Sequence, residues 1–181
     1  MKKINGPFSL KPFDLKGAPE ITIESMVTET DESFFISFRL KGALSSIDLG
    51  PGCASHQRVT GLWKKSCFEF FIKNERGNYL EYNFSPAFEW DCFYFEKKGD
   101  PLTQYPMNKP KEDILHALDV FHLIAEVPKE SMPKDFRTDK MQINLTSVIE
   151  NKEDNKLSYW ALSHKDSKPN FHYFESFISM S

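Results

Sequence analysis

Along most of the chain apolar and polar side chains alternate with a period of two, the spacing of half-buried strands, and no long helical stripe stands out. The alternation predicts strands over Ile21–Thr28, Phe34–Lys41, Cys67–Lys73, Tyr79–Ser85 and Trp90–Glu96. Further strands are expected over Val120–Val127, Met141–Val148, Ser158–His164 and Ser176–Met180. Thr30-Asp31-Glu32 is a polar turn that makes the first pair a hairpin, and Asn74–Asn78, with Gly77, makes another. Short strands with turns between them describe an all-β chain, read here as a two-sheet antiparallel β-sandwich. Two stretches break the rhythm. Lys97–Asp113, with Pro101, Pro106 and Pro110, is too proline-rich for a sheet interior, and Pro128–Asp139 has room for a turn of helix. No repeat, linker or shift in composition divides the chain, so residues 1–181 are expected to form one domain.

The three central strands carry the most information. Closing the first hairpin at Lys73 and Tyr79 sets Glu69 opposite Asn83 and Phe71 opposite Glu81. Closing the next at Ser85 and Trp90 sets Asn83 opposite Cys92 and Glu81 opposite Tyr94. One face then shows Glu69, Phe71, Glu81, Asn83, Ser85, Trp90, Cys92 and Tyr94. The other shows Phe68, Phe70, Ile72, Leu80, Tyr82, Phe84, Asp91, Phe93 and Phe95, which must be core, with Asp91 the one misfit. Carboxylates and an amide beside Trp and Tyr are how proteins hold sugars and similar polar rings: aromatic faces stack on C–H groups while polar groups take the hydroxyls. The plainer alternative is a sheet face covered by the proline-rich segment, with Trp90 as its plug.

Composition narrows the classes. The 17 phenylalanines favour pleated, half-buried surfaces. A net charge of −3, with no long run of Lys or Arg, lacks the footprint of nucleic-acid binding. The N-terminal Met1–Pro7 has no apolar stretch behind it and no segment is long enough to span a bilayer, so a cytoplasmic protein without membrane partners is expected. Cys53, Cys67 and Cys92, without paired spacing, read as reduced thiols. Two glycosylation-type triplets, at Asn83 and Asn144, fall inside strands and read as chance.

Other residues join the mixed face as candidates. Trp63, after Gly61, is a stacking platform or an anchor capping the sandwich end. Arg58 could clamp an anion, although pairing with a nearby carboxylate is the favoured reading. The run from His164 to His172 packs polar groups into a loop over the sandwich. Neither His164, Asp166 and His172 nor Cys53 and His56 match a zinc spacing, and no metal is expected. Glu69 and Glu81 share a face about 7–8 Å apart between backbones, which leaves open an acid–base pair of the glycosidase kind. No nucleophile elbow, phosphate loop or dinucleotide fingerprint occurs.

The segments Gly61–Phe71, Tyr79–Pro86 with Trp90, Leu157–His164 and Lys168–His172 together resemble the bacterial DOMON-like proteins, over most of the chain from Phe34 onward. Asn170 departs from the pattern, where relatives carry Asp, so no carboxylate role passes to it. The resemblance implies an immunoglobulin-type sandwich from a superfamily that includes haem- and sugar-binding DOMON domains and family 9 carbohydrate-binding modules. The cofactor that this resemblance implies as a candidate is haem held through Met and His. No Cys-x-x-Cys-His motif occurs and no His/Met spacing supports it, so no cofactor is expected. The leading expectation is a non-catalytic domain binding a carbohydrate or similar polar small molecule through Glu69, Glu81, Asn83, Trp90 and Tyr94, with His164 and His172 at the rim. The alternatives are a glycan hydrolase using Glu69 and Glu81, or a protein-interaction module.

Overall fold

A computed structural model describes residues 3–51, 55–136 and 140–180. In chain order the strands are β1 (Lys3–Ser9), β2 (Lys11–Pro12), β3 (Ile21–Glu29), β4 (Ser33–Gly42), β5 (Cys67–Lys73), β6 (Tyr79–Phe84) and β7 (Trp90–Phe95). There follow β8 (Thr103–Gln104), β9 (Lys111–His116), β10 (Val120–Pro128), β11 (Gln142–Glu150), β12 (Leu157–Ala161) and β13 (Ile178–Ser179). Among the described residues the only helical pieces are single turns of 3-10 helix. The strands form two antiparallel sheets: β1-β3-β4-β10-β9, and β2-β12-β11-β5-β6-β7-β8 with β13 also paired to β11.

The chain folds this way because both sheets offer one largely apolar face. From the first come Ile23, Val27, Ile36, Phe38, Leu40, Phe121 and Leu123, and from the second Phe68, Phe70, Ile72, Leu80, Tyr82, Phe84 and Leu145, all buried. Their rings meet between the sheets, with Phe38 5.3 Å and Phe121 5.4 Å from Phe68 between centroids. Period-two alternation had marked nine of these strands. Those it missed are β1, β2, β8 and β9, all at or beside sheet edges where one flank faces solvent and alternation blurs. Strand β9 starts inside the proline-rich stretch and pairs only with β10, a place an edge strand can occupy next to Pro110. Pro128–Asp139 does hold single helical turns, at Lys129–Ser131 and Lys134–Phe136; its last residues, like Cys53, lie outside the described part.

One register departs from expectation, and it decides the site. Strands β5 and β6 pair as the alternation predicts, with Glu69 opposite Asn83 and Phe71 opposite Glu81. Strands β6 and β7 pair one residue away from the expected register: Phe84 faces Trp90, Asn83 faces Asp91 and Glu81 faces Phe93. The loop has three residues rather than four. Ser85 N–H donates to Glu89 O, Phe88 N–H closes a turn onto Ser85 O, and Phe88 takes a left-handed φ of 60°. Because side chains alternate, this single step turns all of β7 over. Trp90 and Cys92 enter the core, and Asp91, Phe93 and Phe95 join Glu69 and Glu81 on the outer face.

Candidate functional site

The outer face of the larger sheet is not bare. Phe71, Tyr79, Phe93, Phe95 and Phe177 form a second apolar cluster on it, and Trp63, Phe171 and Phe174 pack against that cluster from connecting segments. Trp63 sits on the turn Leu62–Lys64, edge-on to Phe93 at 5.8 Å. The segment leading to His172 is pinned from below, where Asn144 Nδ2 donates to Phe171 O at 3.1 Å. Asp166 Oδ2 accepts from Asn170 Nδ2 at 2.8 Å and holds the same loop from within. Opposite, Asp100 closes the turn after β7 by accepting from Lys97 N–H at 2.9 Å.

Between these walls lies a cleft of about 550 Å³. Its floor is Glu69, Tyr79, Glu81, Phe95 and Val148 from β5, β6, β7 and β11. Trp63, Tyr159 and Phe171 supply aromatic walls, and Lys98, Asp100, Asn170 and His172 supply polar ones.

The floor carboxyls are buried and partly served. Thr146 Oγ1 donates to Glu69 Oε2 at 2.8 Å, and Asn83 Nδ2 donates to Glu81 Oε1 at 2.8 Å. Burial, reinforced by the charge of Glu81, pushes Glu69 up to about 8. Burial likewise raises Glu81 to about 7, against the Asn83 hydrogen bond and with help from Asp91. His172 is depressed to about 4 by burial and by the Lys98 cation, so its ring is neutral at pH 7. Its Nδ1 lies 3.0 Å from the Tyr79 hydroxyl and its Nε2 lies 3.6 Å from Glu81 Oε2. Tyr79, raised by burial and by Glu81, stays protonated. With Tyr79 donating to Nδ1, His172 Nε2–H is turned toward Glu81 but stops short of a hydrogen bond, so Glu81 Oε2 is left without a donor.

No protein-family model matches the chain, and no curated protein matches it. Solved structures do. A candidate carbohydrate-binding protein from Bacteroides uniformis superposes with a TM-score of 0.67 at 13% identity, over 95% of this chain and 85% of that one. A family 9 carbohydrate-binding module from Caldicellulosiruptor kristjanssonii, solved in complex with glucose, gives a TM-score of 0.53 at 8% identity, over 88% and 73%. The fold is a two-sheet β-sandwich like that of these structures. At these identities the likeness is one of fold.

Within this sandwich the expected residues divide. Glu69, Glu81, His172 and Trp63 all line the cleft. Asn83 lies beneath it, wholly buried, accepting from Cys67 Sγ at 3.4 Å and donating to Glu81, so it positions a carboxyl instead of meeting a ligand. Trp90 and Tyr94 do not belong to this face, because the β6–β7 register turns both toward the core. Arg58 is committed elsewhere: its Nε donates to Asp91 at 2.7 Å, its Nη2 to Cys92 O and Tyr105 O, and it stacks on Trp90. That pair also accounts for Asp91, the apparent misfit. His164 is away from the cleft, with Nε2 2.8 Å from Lys11 O and its ring edge-on to Phe13. The alternation missed Tyr79, Phe95 and Tyr159. Tyr79 was legible, since it stands two residues from Glu81 on one strand; Phe95 needed the correct register.

Proposed function

We propose that the protein is a non-catalytic carbohydrate-binding sandwich whose ligand occupies the cleft between Trp63, the Lys98–Asp100 turn and the Asn170–His172 segment. The observation that carries this reading is the composition of that cleft. Buried carboxyls on its floor, one with a free acceptor oxygen, stand among rings that offer faces or edges to C–H groups. The fold likeness to a glucose-bound module supports it, as does the motif resemblance to DOMON-like proteins, a superfamily of ligand-binding sandwiches. A sugar hydroxyl would donate to Glu81 Oε2, another would exchange hydrogen bonds with His172 or Asp100, and the ring would lie against Trp63 or Tyr159.

Titration with glucose and with cello- and other oligosaccharides, followed by tryptophan fluorescence and calorimetry, tests the reading. Saturable binding is expected, and Trp63→Ala should abolish it while the protein remains folded. Failure of every sugar to bind, or full affinity in Trp63→Ala, overturns the reading. One observation favours a hydrolase instead: the floor holds two carboxyls, and Glu69 is raised enough to act as an acid at neutral pH. Release of new reducing ends from a bound oligosaccharide, lost in Glu69→Gln, would establish that alternative.

A further inference from the structure

The polar floor of the cleft lacks a cation. Glu81 is 4% exposed, and its Oε2 has no hydrogen-bond donor, only His172 Nε2 at 3.6 Å. Glu69 lies a diagonal step away across the β5–β6 pair, with one oxygen taken by Thr146. Among the described residues no Lys or Arg pairs with either carboxyl. Lys98 is the one cation lining the cleft, and its Nζ lies over the Tyr173 ring at 4.5 Å. The aromatic part of the lining, Phe95 on the floor and Trp63, Tyr159 and Phe171 on the walls, consists of π systems, which attract cations.

We infer, resting on the carbohydrate reading above, that the cleft selects sugars bearing a free amine, whose ammonium group sits against Glu81 Oε2 and Glu69. Every group that faces this pair from the packed elements is acidic or neutral apart from Lys98. They are Cys67 on β5, Tyr79 and Asn83 on β6, Asp91 on β7, Thr146 on β11, His172 on its loop and Asp100 at the rim. Burial without a counter-cation leaves Glu81 at about 7 and Glu69 at about 8. An ammonium group delivered by the ligand supplies the missing charge and holds a carboxylate ionised. Below pH 7 binding therefore moves a proton from a floor carboxyl to solvent, and affinity climbs with pH by at most about tenfold per unit for each proton released. A neutral sugar has no such requirement, because a hydroxyl can accept from the protonated acid or donate to the ionised one.

The test compares three β-1,4-linked trimers on the wild-type protein: cellotriose, the trimer of glucosamine and the trimer of N-acetylglucosamine. They differ only in the group on carbon 2. At pH 7 the glucosamine trimer should bind about tenfold more tightly than cellotriose, the margin of a charge-assisted hydrogen bond over a neutral one, and acetylation should erase the gain. Its affinity should rise between pH 5.5 and 7, and calorimetry in buffers of different ionisation enthalpy should register proton release. Glu81→Gln should bring the ratio of glucosamine-trimer to cellotriose affinity toward unity. Equal binding of all three trimers, or an N-acetyl trimer as tight as the free amine, overturns the inference and leaves carbohydrate binding standing. Binding by none of the three overturns both the inference and the reading beneath it for β-1,4 glycans.

Discussion

Trp63 and Trp90 are both aromatic residues near strand ends, yet they differ in everything that matters to a ligand. Trp63 is partly buried and lines the cleft; Trp90 is 5% exposed, embedded in the main core and covered by the Arg58 guanidinium 4.9 Å from its ring. Trp90→Ala should therefore cost about 3–5 kcal/mol, the usual price of emptying a buried aromatic site, in chemical denaturation. Trp63→Ala should cost less, because its ring is only partly buried and packs on the outer cluster, outside the main core. A small loss for Trp90→Ala would mean that its ring contributes little to the core. Residue type and parity alone could place Glu69, Glu81 and Phe71 on one face, because the β5–β6 turn announces itself with Gly77 and flanking asparagines. They could not place Trp90, whose side of the sheet depends on one residue of loop length.

That dependence is a property of hairpins. The β6–β7 connection uses a three-residue loop whose last position is left-handed, a place where Gly or Asn is the usual signal. Here it is Phe88, with a φ of 60°, and nothing in the residue type betrays the conformation. The His56 ring, 5.1 Å away, and Lys109 Nζ, 5.8 Å from the Phe88 centroid, pack against it. The β5–β6 connection is the opposite case, legible because its own side chain builds it. Asn74 is buried, and its Oδ1 accepts from Arg76 N–H and Asn78 N–H, both at 3.0 Å, while Nδ2 donates to Asp135 at 2.9 Å. Asn74→Ala leaves those donors without their acceptor and should destabilise the protein by about 1–3 kcal/mol in a denaturant titration. Asn74→Asp keeps the acceptor oxygen but faces Asp135, so it should recover only part of the loss. Recovery to wild-type stability would mean that the Asp135 contact is irrelevant to the hairpin that presents Glu81.

At the scale of the molecule, the buried carboxyls make stability depend on pH in an unusual direction. Burial raises Glu69 to about 8 and Glu81 to about 7, and it raises Glu112 to about 7 despite the Lys109 ammonium group 3.4 Å away. In the unfolded chain each returns to near 4.3, so between those values the folded state binds more protons than the unfolded one. Their stabilising contribution is then fully present below about pH 4.3 and is lost as pH rises through the folded values. His172 works the other way: depressed to about 4 when folded, it makes stability rise with pH until its unfolded value near 6.5 is passed. Above that point the carboxyls dominate, joined toward pH 8.5 by the Cys67 and Cys92 thiols, which burial holds protonated beyond their ordinary range. Thermal melts should therefore show stability falling from pH 6.5 to pH 8.5, by about 3–4 kcal/mol if the buried groups behave independently. For a chain of this size that is a drop of very roughly 5–10 °C. The double variant Glu69→Gln/Glu81→Gln should flatten most of the slope, since amides keep the shape and lose the titration, leaving the share of Glu112 and the thiols. Saturation with an amine-bearing ligand should flatten it too, because the ligand's charge would hold the floor carboxylates ionised in the folded state. A melting temperature that instead rises between pH 6.5 and pH 8.5 would mean that the cleft floor is hydrated well enough to keep both acids near their ordinary values, and the missing cation would no longer be needed.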